Sequence, residues 1–404
     1  MRLAIVGLTS PHGRGVADAA KRSEIVELVG VGGSSEEAVS RWCEEEGIDA
    51  KVKRYASCNA VLEDENVEAV YIGVASAARF AWCLAACSAG KHILVEKPIA
   101  VDMSQALSLR NAALGRVALM DATPFVHHAR TRTMVAELRD ERTFGRVERA
   151  SVRISFHAAF LENAVDRAAA DDEPLGCVGD VGWFAARWGL LAFGPDAVPR
   201  FARAAHARFT DSGVPLDLSG LVFFDDAMTE VLDLHCSFAC AFRQDLEVCG
   251  ARKRLRCDDF QIPVNGSKCN ATFDLVTFSE IGDLDEVVVQ ATQTIPVDPD
   301  CQRLAMLDAF ANLCRAGPAD PKAKIWLDAA VQTQAIVSAL LESARQGGKI
   351  VAASPRAPTT TTTNHITSFT TTATSRKRPR SASAEPRLDL LATTATTPPW
   401  GTDS

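Results

Sequence analysis

His92-Ile93-Leu94-Val95-Glu96-Lys97-Pro98 is the stretch on which the fold turns. The apolar run through Val95 reads as a buried strand of a parallel sheet. A lysine at the carboxyl end of such a strand stands where open α/β sheets bind their ligands. The proline behind it cannot extend the ladder and turns the chain. The stretch therefore predicts one cationic donor, firmly held, at the mouth of a cleft.

Working outward, the same rhythm continues on both sides. Leu3–Gly7 reads as a first strand, Leu8–Gly15 as a loop, and a helix follows from about Val16 to Arg22. Ile25–Val31 is a second strand, Ser34–Glu46 an amphipathic helix, and Cys58–Leu62 a short helical turn. Ala69–Val74 is a third strand, and Ala77–Ala89 a helix that Gly90 stops. Beyond the lysine come a helix, Ser104–Leu114, and a strand, Val117–Met120. Strands and helices that alternate in this way predict a doubly wound parallel sheet.

After Gly145 the period changes. Val147–Phe156, Leu216–Phe224, Glu230–Phe238, Asp245–Cys249 and Leu255–Asp259 alternate as strands with hairpin spacing, and Leu304–Ala316 and Leu327–Gln346 are helical by period. The fold class is α/β: a Rossmann domain over residues 1–122, then an α+β domain over 123–351 with a large, open-faced, mainly antiparallel sheet. From 352 to 404 the chain is rich in Thr, Ser and Pro, with a run of threonines at Thr359–Thr363. A segment of that composition buries too little apolar surface to offset its ordering entropy and reads as a disordered tail. Within it, Arg376-Lys377-Arg378-Pro379-Arg380 is either a nuclear-import patch or a solvated basic run beside Ser375, Ser381 and Ser383.

Charge narrows the function. The 404 residues carry a formal charge of −8. The tail holds six basic against three acidic residues, so the folded body is more negative still, which argues against nucleic-acid binding by it. The 12 cysteines include no CxxC pair, so no metal is expected. They read as small buried hydrophobes of a reducing compartment, with Cys83 and Cys87 on one helix face and Cys236 and Cys240 on one strand face. Met1–Gly7 reads as a strand rather than a secretory leader, no membrane span is expected, and the expected location is cytoplasmic.

Four constellations carry chemistry. The turn from Gly7 to Gly15 lies between a strand and a helix, the context of a dinucleotide cradle, although Thr9 and His12 stand where the GxGxxG pattern has glycines. Gly7 permits the turn, Thr9 and Ser10 can donate to phosphate, and His12 can touch it; the alternative is an ordinary strand–helix turn. At the tip of the second strand Ser34 and Ser35 stand where the cofactor ribose is read, with neither the acid of an NAD site nor the base of an NADP site, and both can equally be helix caps. Glu96 either pairs with Lys97 or binds the ribose. His127, His128 and Arg130 follow the last strand of the sheet, placed for proton transfer and substrate anchoring or for capping the next helix. Asp180, within Gly179-Asp180-Val181-Gly182, either caps a helix or meets substrate hydroxyls.

Taken together, the Gly7 turn, Glu96-Lys97-Pro98 and Gly179-Asp180-x-Gly182 resemble the glucose–fructose oxidoreductase / inositol dehydrogenase (Gfo/Idh/MocA) family. Met120-Asp121-Ala122-Thr123, Gly179-Asp180-Val181-Gly182-Trp183 and Ala241-Phe242-Arg243-Gln244 are similar to segments of its dihydrodiol-dehydrogenase-like and plant-type branch. The resemblance spans roughly residues 1–350. It implies NAD- or NADP-dependent oxidoreduction of a sugar, cyclitol or diol, with Lys97 in the catalytic centre, a following proline that is often cis, and a homo-oligomer built through the C-terminal sheet. The chain departs from the family at Phe184, where a histidine or tyrosine proton carrier is common, and at Arg79 and Ser35, where the family often has histidine and arginine.

Two functions follow. In the first, Lys97 orients and deprotonates a substrate hydroxyl, His127 (or His128) relays the proton that Phe184 cannot, and Asp180 and Arg130 hold substrate. In the second, the protein is a non-catalytic dinucleotide-binding sensor or scaffold. The direction of the His127 ring separates them: toward Lys97 for the enzyme, away for the sensor.

Overall fold

The computed structural model describes residues 1–8, 12–157, 171–264, 270–278 and 289–354. The expectations for Thr9, Ser10 and the tail, Arg376–Arg380 included, lie outside the described residues.

Six short strands form the first sheet: β1 (Arg2–Val6), β2 (Glu27–Gly32), β3 (Lys53–Tyr55), β4 (Ala69–Ile72), β5 (His92–Glu96) and β6 (Leu119–Ala122). Their order is β3-β2-β1-β4-β5-β6 and every pairing is parallel. This is the doubly wound order, whose direction reverses between β1 and β4 and opens a crevice at the carboxyl ends. Linking helices are α1 (His12–Arg22), α2 (Glu36–Glu45), α3 (Cys58–Glu63), α4 (Ser76–Ser88) and α5 (Met103–Ala113). The helix α1 begins at His12, four residues ahead of the sequence expectation. Gly13 and Gly15 are poor helix formers, but Gly15 gives room to a neighbour: a Cβ there would lie 2.7 Å from Arg303 Nε.

Alternate residues of this sheet face two layers. Leu3, Ile5, Leu94 and Met120 pack with α1 and with Met306, Leu307 and Phe310 of a helix from the far end of the chain. Val6, Ile72 and Val95 face a core shared with the second half of the molecule.

That second half opens with a 3-10 turn (Pro124–His127) and α6 (Ala129–Arg139), then a nine-stranded sheet. Its strands are β7 (Val147–Ser155), β8 (Phe201–Phe209), β9 (Pro215–Phe223), β10 (Val231–Ser237), β11 (Arg243–Gly250), β12 (Lys253–Cys257), β13 (Ala271–Phe278), β14 (Val289–Val297) and β15 (Val351–Ala352). The order is β14-β13-β12-β11-β7-β10-β9-β8-β15, antiparallel except for β7 with β10. Between β7 and β8 run α7 (Gly176–Asp180) and α8 (Gly182–Phe193). The latter is apolar almost all round, the mark of a helix buried on every side, and it packs on β7 and β10. α9 (Gln302–Ala316) and α10 (Pro321–Arg345) then return to the first sheet, α9 onto α1 and α10 onto α5 and β6.

One cysteine expectation is corrected. Cys236 is buried on the inner side of β10, whereas Cys240 lies past the end of that strand and is exposed, so the two do not share a strand face. Cys83 and Cys87 are both buried on α4.

Candidate active site at the end of the fifth strand

Lys97 leaves β5 at its carboxyl end through a cis Lys97–Pro98 peptide. The turn is clamped by Arg79 of α4, whose Nη1 donates to the Lys97 carbonyl at 2.7 Å and the Pro98 carbonyl at 3.1 Å. Lys97 Nζ donates to Asp180 Oδ1 and, at 3.2 Å, to the Asp180 carbonyl. It also sits 4.9 Å from the centroid of the Phe184 ring, within cation–π range. The Lys97 side chain is 6% exposed and that of Asp180 17%, so the pair is largely desolvated yet open on one side. Asp180 ends α7 rather than opening α8, so the helix-cap reading fails and the carboxylate points at the lysine. Glu96 is buried and accepts from the Tyr71 hydroxyl at 2.7 Å.

The cleft beside this pair has a volume of about 130 Å³ and is walled by His12, Glu96, Lys97, Phe184, Gln261 and Arg303, among others. That is less than the 300–1,000 Å³ common for ligand sites. A larger cavity, about 400 Å³ among Met1, Glu68, Lys91, His92 and Arg315, lies at the amino-terminal ends of the strands, the wrong edge for an open α/β sheet.

His12, at the start of α1, faces the lysine side of the cleft. Glu96 draws its pKa up, but burial, Lys97 and Arg303 outweigh that and hold it below the usual imidazole value. The residues present fit a dinucleotide. Gly7 has φ +87°, and a Cβ there would lie 2.4 Å from Val74 Cγ1, so only glycine makes this turn at the crevice. The first turn of α1 has no acidic residue, and Arg303 adds a cation beside it. Gln302 Oε1 is buried with no partner among the described residues, an acceptor suited to a ligand. Arg303 and Gln302 were not legible as site residues; helical periodicity marks α9 but not which end of it meets α1.

Other expected site residues are not brought together here. His127 is 6% exposed and stacks on Trp326 of α10, ring centroids 4.8 Å apart. Its Nε2 has no hydrogen-bond partner among the described residues, and burial drops its pKa to about 4. His128 caps α6, its Nδ1 accepting from the Arg130 N–H at 2.9 Å. Arg130 is buried and occupied by Asp259 Oδ1 at 2.5 Å, the Asp259 carbonyl at 2.6 Å and the Thr272 carbonyl at 3.1 Å. Neither His127 nor Arg130 lines the cleft. Ser35 caps α2 by accepting from Ala38 N–H at 3.2 Å, and Ser34 is exposed at the tip of β2.

Residues 1–119 match the family profile GFO_IDH_MocA, described as an oxidoreductase family with an NAD-binding Rossmann fold. Among curated proteins, the chain is 30% identical over 161 residues to dTDP-3,4-didehydro-2,6-dideoxy-alpha-D-glucose 3-reductase of Actinomadura kijaniata, covering 40% of this chain and 45% of the reductase. It is 29% identical over 231 residues to D-xylose 1-dehydrogenase (NADP(+)) 2 of Haloferax volcanii, 57% of this chain and 67% of that enzyme. The chain thus spans less than half the length of the first of these relatives. The fold matches a 3-ketoreductase of Actinomadura kijaniata, solved with NADP and TDP-benzene, at a TM-score of 0.69 and 20% identity over 86% of this chain and 97% of that one.

Proposed function

We propose that the chain is a member of the Gfo/Idh/MocA oxidoreductase family, whose profile its residues 1–119 match, and that it is an NAD(P)-dependent oxidoreductase acting at a carbinol or carbonyl carbon of a sugar, cyclitol or diol. The observation that carries the reading is the Lys97–Asp180 pair at the cleft. When bound, the dinucleotide supplies or accepts the hydride. Lys97 Nζ gives a proton to the substrate oxygen during reduction and takes one during oxidation. Asp180 holds the ammonium in place, and its exposed edge lets the proton exchange with solvent. Arg79 fixes the lysine backbone. Gln302 and Arg303 serve as ligand contacts, Arg303 toward phosphate. His12, beside Lys97, takes the imidazole place first expected of His127. Assembly through the outer face of the nine-stranded sheet belongs to the same reading.

A second reading, a dinucleotide-binding sensor or scaffold without turnover, is favoured by Phe184 on Lys97 and by the burial of His127 against Trp326. Tryptophan fluorescence titrated with NADH and NADPH, followed by coenzyme oxidation with keto-sugars, aldoses and nucleotide-linked sugars, separates the two. Binding with turnover supports the enzyme; binding with no turnover across the panel supports the sensor; absence of binding overturns both.

A further inference from the structure

We propose that Asp217, His235, Cys240 and His206 form a structural zinc site on the outer face of the nine-stranded sheet. The site is independent of the dinucleotide cleft. In β9, Leu218 and Val222 are fully buried on the face covered by helices, so Asp217 and Ser219 take the opposite face by the two-residue period. Ser219 is paired with His206 on β8 and with His235 on β10, which sets both imidazoles on that outer face, one on each side of β9. Cys240 comes from the chain just beyond β10.

The spacing is the argument. His235 Nε2 lies 3.5 Å and His206 Nε2 3.6 Å from the same oxygen, Asp217 Oδ1. Both are too long for a good hydrogen bond. Cys240 Sγ lies 3.8 Å from Asp217 Oδ2. One donor atom each from Asp217, His235 and Cys240 falls within 4.8 Å of the others. Around a tetrahedral zinc with bonds of about 2.0–2.3 Å, neighbouring ligand atoms stand roughly 3.3–3.8 Å apart. The three separations from the Asp217 carboxylate, the two imidazoles to Oδ1 and the thiol to Oδ2, match edge lengths of such a tetrahedron. His206, 60% exposed, is free to turn as the fourth ligand.

Donor chemistry selects the metal. A thiolate and two imidazoles with one carboxylate suit zinc and disfavour magnesium or calcium. The Asp217 carboxylate is already oriented: Oδ2 accepts from the buried Ser237 hydroxyl at 2.7 Å, the kind of outer-shell bond that aims a ligand. Four protein ligands make a closed, structural site, which would pin the chain after β10 to β8, β9 and β10. The spacing of histidines and cysteines along the sequence hides this set, because its members come from three strands and a following loop.

The test uses the full chain, freed of metal by chelator and titrated with zinc against a chromophoric competitor, and with cobalt(II). We expect one equivalent to bind, a thiolate-to-cobalt charge-transfer band, and a melting temperature that rises with zinc. Cys240→Ser and His235→Gln should each weaken binding by more than about 100-fold, beyond the loss of an outer-shell partner, and remove the thermal response. No zinc uptake, uptake unchanged in both variants, or a cobalt spectrum without the thiolate band would overturn the proposal.

Discussion

Lys97 and Asp121 stand at the ends of neighbouring strands, β5 and β6, and each meets an opposite charge from the α7–α8 segment. Around Asp121 both carboxylate oxygens are engaged. Oδ1 accepts from Arg187 at 2.5 Å, and Oδ2 accepts from the Thr123 hydroxyl and, at 3.2 Å, from the Trp183 indole. Both side chains of that pair are sealed, at 2% and 0% exposure. Lys97 has one carboxylate, an aromatic face and an open side toward the cleft. The same local architecture thus yields a sealed strut in one place and, on the proposed function, a reactive pair in the other. The difference is saturation and access, not the presence of charge.

The comparison can be broken by treating the two pairs alike. Arg187→Met leaves Asp121 as a buried, uncompensated charge. Its expected cost is about 3–5 kcal/mol of unfolding free energy by denaturant titration, with turnover per folded molecule nearly unchanged. A variant as stable as the parent would remove Asp121 from its structural role.

The next effect concerns His127, which lies in the field of the Asp121–Arg187 pair. Burial lowers its pKa from 6.5 to about 4, so between those values the unfolded chain binds a proton that the folded chain refuses. Its contribution is complete above pH 6.5 and is lost as pH falls through that window, amounting to about 3 kcal/mol. His127→Phe keeps an aromatic ring on Trp326, and its stability should fall less over the same range. An identical pH profile would contradict the assigned burial.

Smaller still is Arg79→Met, which leaves the Lys97 and Pro98 carbonyls without their donor. About 1–3 kcal/mol of stability should go. Turnover should fall up to roughly 100-fold through a displaced Lys97, while dinucleotide affinity holds. Loss of affinity with turnover intact would mean that Arg79 serves the cofactor instead.

Much of this frame is legible in the sequence because it is local. An apolar run such as Ile93–Val95 announces a buried strand, and the recurrence of such runs announces the doubly wound sheet. The strand β8, Phe201–Phe209, escaped notice because alanine and arginine dominate it and neither favours strands. Asp180 is legible as a companion of Lys97 only through the family resemblance, since the two are 83 residues apart and the packing of α7 against the β5 turn is what joins them. The direction of the His127 ring is hidden for a related reason: a histidine near a strand end looks alike in sequence whether it faces the cleft, as His12 does, or a tryptophan from α10.

The most direct measurement is Lys97→Met assayed for dinucleotide affinity, melting temperature and turnover together. The account predicts affinity and melting temperature close to those of the parent and turnover lower by about 10² to 10⁴. Turnover at the parental rate in a folded, dinucleotide-binding Lys97→Met protein would contradict it.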